Sequence, residues 1–347
     1  MILSSLLLLT LVVERNNGLV IERGLRLGQT NLYSPIPLGV GTWAWGNKLL
    51  WGYDETQDEL IKDTWKAAVD GGVSFFDTGD SYGTGKLEGR AEVLLGECRR
   101  RRDRRRRGLA YGTKLAVYPW RQSADSFVDA LRASLGRFQL DKVEIAQAHW
   151  SAANYFPSQD RALLEGLARC YELDLCDSVG LSNFGPKTLA KAAAFFADRG
   201  VPVAVDQVQF SLLSTQPEQT GLLDACRDLG ITPVAYSPLA LGALAASDNK
   251  PAGPRGFLFD QVLPGATRLT GLLRDIGKSR RKTPAQVALN WTICKGCLPI
   301  VGARSPERMR QNLGACGWRL SDAEVGALDD AARAAKKKAT QNIFMTS

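Results

Sequence analysis

The sequence predicts an α/β fold, a single-domain (β/α)8 TIM barrel, and three observations predict it. Short apolar runs alternate with amphipathic stretches along most of the chain, the pattern of parallel strands joined by right-handed helical crossovers. The apolar runs number eight, and eight strand–helix units over roughly 280 residues are the size of a closed barrel. No G-x-G-x-x-G loop follows the first run, which argues against the open doubly wound sheet that is the alternative. The 347 residues are 45% hydrophobic, ample for a large core, and no low-complexity linker divides them.

Taken in order, the chain opens on "MILSSLLLLTLVVERNNG". The apolar run Leu6 to Val13 is too short for a bilayer, which takes about 20 residues, so no integral membrane segment is expected. It lacks a basic start and a clear cleavage site, so it is a weak secretory signal. Residues 1–24 are read as a leader or disordered N-terminus, and residues 25–347 as the barrel with a C-terminal tail. Strands are expected at Leu38–Thr42, Val73–Asp77, Leu109–Lys114, Val143–His149, Ser178–Ser182, Val203–Gln207, Ile231–Tyr236 and Leu298–Val301. Helices are expected in "ETQDELIKDTWKAAVDGG", "SADSFVDALRASLGRF", "GPKTLAKAAAFFADRG", "PEQTGLLDACRDLG" and "TPAQVALNWTICKG". Several open on Ser, Thr or Pro and close at Gly, as helix ends do.

Charge and cysteine usage exclude more than they assign. The formal net charge is +8, but eight arginines stand in "RRRRDRRRR", Arg99 to Arg107, and without that block the protein is roughly neutral. Such a local run reads as a solvated surface loop, so no nucleic-acid partner is expected. Seven scattered cysteines fit a reducing compartment. "CKGC", Cys294 to Cys297, has redox spacing but follows a helix C-terminus, where nothing lowers a thiol pKa. No metal site is expected.

Chemistry-bearing residues collect at the C-terminal strand ends, where barrels place their active sites. The second strand ends at Asp77, with Tyr82 on the glycine-rich loop beyond. The third ends at Lys114, and the fourth at His149, the one histidine of the sequence. Adjacent strands lie about 4.8 Å apart, so these side chains can converge. A tyrosine near pKa ~10 must be tuned to act as a general acid. A nearby lysine would lower that pKa, and an aspartate would hold the lysine. Without a nucleophile–base pair, the set suits protonation of a carbonyl oxygen better than hydrolysis.

These residues resemble the aldo-keto reductase family. "FFDTGDSYG", "GTK" and "AQAHW" match its Asp, Tyr, Lys and His motifs, and "VGLSNF", "DQVQFSLL", "VAYSPLALGAL" and "PIVGARSPERMRQN" follow in order. The likeness is greatest to the plastid aldo-keto reductases of plants and algae, through "PWR", "PEQTGLLDAC", "PAGPRG" and "TPAQVALNW". The resemblance implies reduction of an aldehyde or ketone with NADPH, the proton coming from Tyr82. Catalytic roles fall on Asp77, Tyr82, Lys114 and His149. Cofactor contacts fall on Thr42, Trp43, Ser182, Asn183, Gln207, Tyr236, Ser237, Pro238, Leu239, Gly302, Arg304, Arg308, Gln311 and Asn312. Amide and hydroxyl groups of Ser182, Asn183 and Gln207 suit the nicotinamide carboxamide, the Tyr236 face suits its ring, and Arg304 and Arg308 suit a 2′-phosphate. Trp43, Trp45, Trp51, Trp120, Trp150 and Tyr155 are expected to line the substrate pocket. A monomer is expected, in the chloroplast by resemblance (stroma or plastoglobule) and otherwise in the cytoplasm. The alternative is an NADP(H)-binding redox sensor or regulatory subunit on the same barrel, since fold does not fix function.

Overall fold

The structure, a computed structural model, describes residues 24–83, 85, 88–100, 108–245, 254–335 and 345–346, together with the backbone of 13–16 and 19–22. Eight parallel strands close a barrel in chain order. They are β1 Gly39–Gly41, β2 Phe75–Asp77, β3 Ala110–Leu115, β4 Val143–Ala148, β5 Cys176–Ser182, β6 Val203–Gln209, β7 Thr232–Tyr236 and β8 Leu298–Val301. Closure comes from β8 against β1, with Ile300 opposite Gly39 and Val301 opposite Val40. Each strand is followed by a helix: α1 Asp58–Asp70, α2 Arg90–Arg100, α3 Ala124–Phe138, α4 Pro157–Glu172, α5 Pro186–Ala197, α6 Leu222–Asp228, α7 Pro284–Cys294 and α8 Pro306–Leu313.

Local sequence explains the helix limits. Ser123 and Thr283 each close a capping box at the start of α3 and α7, which satisfies amide groups the helix itself leaves unpaired. The stretch expected as one helix over 217–230 is two, Gln216–Gln219 and Leu222–Asp228, because Gly221 between them turns left-handed at φ 76°. Arg99 and Arg100 end α2, and Arg99 lies 5.0 Å over the Tyr111 ring and reaches Glu144 at 3.5 Å. Arg99 is therefore not wholly solvated, Arg100 is exposed, and Arg101 to Arg107 lie outside the described residues.

The strand period of two places the site. Phe75, Ala110, Ile145, Val205, Val234, Leu298 and Ile300 form one buried cluster with Leu25 and Leu27, the apolar floor of the barrel. A hairpin pairing Leu25–Arg26 with Tyr33–Ser34 carries those leucines under the strands. Gly28 in its turn has φ 58°, and a Cβ there would stand 2.6 Å from the Ala204 carbonyl. Two residues above the floor, on the same inward face, come Asp77, Gln147 and Gln207. The intervening Phe76 points outward, packs tilted against Trp65 and stacks on Tyr111. Ahead of this, Val13–Asn16 and Leu19–Glu22 pair as a separate antiparallel hairpin. Among the described residues no helix is long and apolar enough to cross a membrane, and none of the seven cysteines, Cys294 and Cys297 included, is joined in a disulfide.

Asp206 alternates to the outside of the barrel and is wholly buried there. The Phe184 N–H faces it, yet neither carboxyl oxygen gains a hydrogen bond of ordinary geometry. Burial raises its pKa to about 8. In the unfolded chain the same carboxyl ionises near ~3.9. Native protein thus holds a proton that unfolded protein releases, and stability falls as pH rises from about 4 to 8. Asp206→Asn should match the parent in chemical denaturation at pH 4 and exceed it at pH 8 by on the order of 2–5 kcal/mol. Equal stabilities at pH 8 would refute this.

Candidate active site

At the centre of the rim, Lys114 Nζ donates to Asp77 Oδ2 at 2.5 Å, and both side chains are 1% exposed. The other carboxylate oxygen, Oδ1, accepts Gln207 Nε2 at 2.7 Å and Gln147 Nε2 at 3.1 Å. β2, β3, β4 and β6 therefore meet on one carboxylate. Burial pulls the Lys114 pKa below its ordinary value even with Asp77 beside it.

Tyr82 arrives by a clipped loop. Past β2 the chain stays along β3, with Thr78 N–H on the Gly112 carbonyl and Asp80 N–H on the Lys114 carbonyl at 2.8 and 2.9 Å. Asp80 accepts Ala116 N–H at 3.1 Å and pairs with Arg121 at 2.5 Å. A turn from Gly79 to Tyr82 then swings the ring back over the ion pair, with Lys114 Nζ 4.9 Å from its centroid. Burial, reinforced by the charge of Asp77, raises the Tyr82 hydroxyl well above its ordinary value. The expected lowering by Lys114 is not seen, because desolvation dominates and Asp77 already balances the lysine charge.

His149 stands one residue beyond β4, with its ring 5.7 Å from that of Tyr82 and 4.9 Å from that of Trp150. Ser81 Oγ lies 3.4 Å from its Nδ1. Burial first, then the Lys114 charge, lowers its pKa to about 3. The imidazole is therefore neutral throughout the physiological range and offers one N–H.

A cavity of about 1350 Å³ joins Tyr82, Lys114 and His149 to Trp43, Ser182, Asn183, Gln207, Tyr236, Ser237, Pro238, Leu239, Gly302, Arg304, Arg308, Gln311 and Asn312. That volume exceeds the ~300–1,000 Å³ of an ordinary small-molecule site. A Cβ added to Gly302 would meet nothing within 4 Å, so this wall is open. Ser305 caps α8 at the same wall, where helix N–H groups favour anions. Tyr236 donates to Asn183 Oδ1 at 3.1 Å, and Asn183 Nδ2 donates to the His149 carbonyl at 3.2 Å. These donors, acceptors, cations and ring faces fit an extended dinucleotide.

Other expectations do not reach the cavity. Thr42 is fully buried, its hydroxyl spent on the Asp77 carbonyl at 3.0 Å. Trp45 is core, its indole N–H on the Ala303 carbonyl at 2.9 Å. Trp120 is 71% exposed and stacks on Tyr118, and Tyr155 is 57% exposed and accepts the Trp150 indole N–H at 2.8 Å. Trp43, Trp51 and Trp150 do line the cavity. Gln147 escaped the sequence reading, although its place two residues before His149 on an inward-facing strand position was a signal. Among the described residues no cluster of three His, Cys, Asp or Glu could hold a metal.

Fold and rim together define a (β/α)8 barrel enzyme with a buried lysine–carboxylate pair under a protonated tyrosine. The family model described as Aldo/keto reductase family matches residues 37–333, and this chain belongs to that family. It is 46% identical over 316 residues to the chloroplastic pyridoxal reductase of Arabidopsis thaliana, covering 89% of this chain and 87% of the relative. It is 31% identical over 285 residues to deoxymugineic acid synthase 1 of Oryza sativa subsp. japonica, covering 77% and 80%. The crystal structure of a thermostable aldo-keto reductase with the inhibitor epalrestat superposes with a TM-score of 0.71 at 27% identity, covering 89% of this chain and 99% of that one. The protein is accordingly an oxidoreductase acting on carbonyl groups.

Gln147 is built in rather than accommodated. A Cβ at Gly112 would come within 2.7 Å of its Nε2, and one at Gly180 within 2.7 Å of its Cγ. Gln147→Met, similar in volume, should lose about 1–3 kcal/mol of unfolding free energy. Gln147→Glu should lose more, and increasingly so from pH 5 to pH 8, as a second carboxylate ionises against Asp77. A Gln147→Glu protein of parental stability at pH 8 would exclude this arrangement.

Proposed function

We propose that the protein is an NADPH-dependent reductase of small aldehydes or ketones, with Tyr82 as the proton donor. The observation that carries this reading is the meeting of Tyr82, His149 and the Lys114–Asp77 pair in one cavity with the Tyr236, Asn183 and Arg308 side chains. When bound, NADPH supplies the hydride. Ser182, Asn183 and Gln207 would hold its carboxamide, Tyr236 its ring, the segment Ser237 to Leu239 and the start of α8 its phosphates, and Arg304 and Arg308 its 2′-phosphate.

The chain's own groups then handle the proton. His149, neutral, donates its N–H to the carbonyl oxygen and orients it towards Tyr82. An alkoxide is about as basic as hydroxide, whose conjugate acid water has a pKa of ~15.7, so even a tyrosine raised above ~10 gives up its proton to the developing oxyanion. Lys114 is placed to receive the resulting phenolate charge, and Asp77 holds Lys114. A redox sensor on the same barrel would have no use for the complete set.

The substrate we propose is a flat aromatic aldehyde of the pyridoxal kind, reduced to its alcohol. Trp150, whose ring lies 4.9 Å from that of His149, and the likeness to a pyridoxal reductase support it. The same likeness supports a plastid location.

Two measurements test this reading. Tyr82→Phe should lower kcat for NADPH-dependent aldehyde reduction by about 10²- to 10⁴-fold, the worth of a general acid, while NADPH binding persists. Undiminished turnover would remove Tyr82 from the chemistry. Replacing both Arg304 and Arg308 by alanine should weaken NADPH at least about tenfold, as the loss of ~1.4 kcal/mol or more, and leave NADH unchanged. Equal affinity of the parent for the two cofactors would overturn the 2′-phosphate assignment.

A further inference from the structure

Helix α5 begins without a cap of its own. Its N-cap residue is Gly185, which has no side chain to offer, and Pro186 follows at the first turn. The residue at its start is held instead from far along the chain. Thr346 Oγ1 accepts the Gly185 N–H at 3.0 Å and shares a short hydrogen bond with the Thr188 hydroxyl. The Thr346 N–H donates to the Asn183 carbonyl at 3.2 Å. Thr346 is 6% exposed, and Met345 beside it packs on the main core cluster.

What Thr346 holds is a strained hub. Asn183 has φ 64°, a conformation that costs a residue with a side chain about 1–3 kcal/mol unless its surroundings impose it. Its N–H donates to the Gln207 carbonyl at 2.9 Å. Its amide donates to the Ser182 hydroxyl at 3.1 Å and to the His149 carbonyl at 3.2 Å, and its Oδ1 accepts Tyr236 at 3.1 Å. One residue thus ties together the ends of β4, β5, β6 and β7, and its carbonyl is tied in turn to Thr346.

We propose that Thr346 is a positioning residue for the nicotinamide end of the cofactor cavity. With its hydroxyl on the Gly185 N–H and on Thr188, and its own N–H on the Asn183 carbonyl, it fixes the left-handed turn that sets where Asn183, Tyr236 and the His149 backbone stand. The proposal rests on the reading that this cavity binds NADPH. Its hydrogen bonds go to Gly185, Thr188 and Asn183, at the nicotinamide end and not at Arg304 or Arg308.

The experiment compares full-length Thr346→Val, similar in shape but without the hydroxyl, and Thr346→Ser with the parent. Tryptophan fluorescence titrations give Kd for NADPH and for 2′,5′-ADP, a probe of the adenosine half alone. Thr346→Val loses the hydroxyl's bonds to the Gly185 N–H and to Thr188 while keeping its backbone N–H on Asn183, and should raise Kd for NADPH about tenfold and leave 2′,5′-ADP within about twofold. Thr346→Ser should restore parental NADPH binding. A parent that binds NADPH, with a Thr346→Val protein that binds both ligands as the parent does, overturns this proposal alone. Equal weakening of both ligands also overturns it, because Thr346 would then act on the fold at large. A parent that fails to bind NADPH overturns the cofactor reading and this proposal with it.

Discussion

The rim is organised by one costly interaction, the ion pair of Lys114 and Asp77 buried on top of an apolar barrel floor. Withdrawing two charges from water is expensive, and attraction alone seldom repays it unless the remaining hydrogen-bonding capacity is filled. Here it is filled by two glutamines from other strands, and by little else. The floor of Phe75, Ile145, Val205 and their neighbours keeps the dielectric low from below, which magnifies every charge effect above it. The neutral state of His149 and the raised Tyr82 hydroxyl both follow from this placement. One is held by burial and the lysine charge, the other by burial and the aspartate charge.

Much of this was legible in the chain because strand chemistry is local. Eight apolar runs gave eight strands, with ends moved by up to about two residues, since a strand's core pattern is read directly but its last hydrogen bond is not. Asp77, Lys114 and His149 were found because a charged or titratable group ending an apolar run is conspicuous. Gln147 was not, since an uncharged amide in "EIAQAH" looks like ordinary strand polarity until its partner on another strand is known. The aromatic residues show the opposite error. Trp45 and Trp120 share a type with Trp43 and Trp150, but exposure depends on neighbours more than 100 positions away, such as Ala303 for Trp45. The direction of the Tyr82 shift was missed for a related reason: sequence names the lysine, but only the fold reveals how little water remains around the phenol.

Among the described residues, left-handed backbone at residues other than glycine occurs at or just past helix ends, at Gln139, Asp174 and Arg281, and at the cavity. Asn183, Ser237, Ala240 and Leu241 all carry positive φ, and all but Ala240 line the cavity. Each such residue costs stability that the surroundings must return. At Asn183 the return is visible in its hydrogen bonds to four neighbouring segments. At Ser237 to Leu241 it comes from backbone bonds within the turn, Ala240 N–H to the Ser237 carbonyl at 2.8 Å and Gly242 N–H to the Leu239 carbonyl at 2.9 Å. Left-handed turns held by hydrogen bonds thus shape part of the cavity wall, while the floor is built from the barrel strands, where β5 and β6 shift register between Val203 and Val205.

Two aspartates make the contrast between scaffold and site concrete. Asp77 and Asp206 are both essentially buried, at 1% and 0% exposure, and both sit on barrel strands. Asp77 faces inward and meets a lysine and two amides, so its charge is useful and is held in one place. Asp206 faces outward between strand and helix, gains no such partners and keeps its proton to about pH 8. Burial alone thus does not identify a working carboxylate. What separates the two is the direction in which the strand pleat points, inward to the converging rim or outward to the helix layer, and a one-residue shift of either strand would turn its own aspartate to the other side.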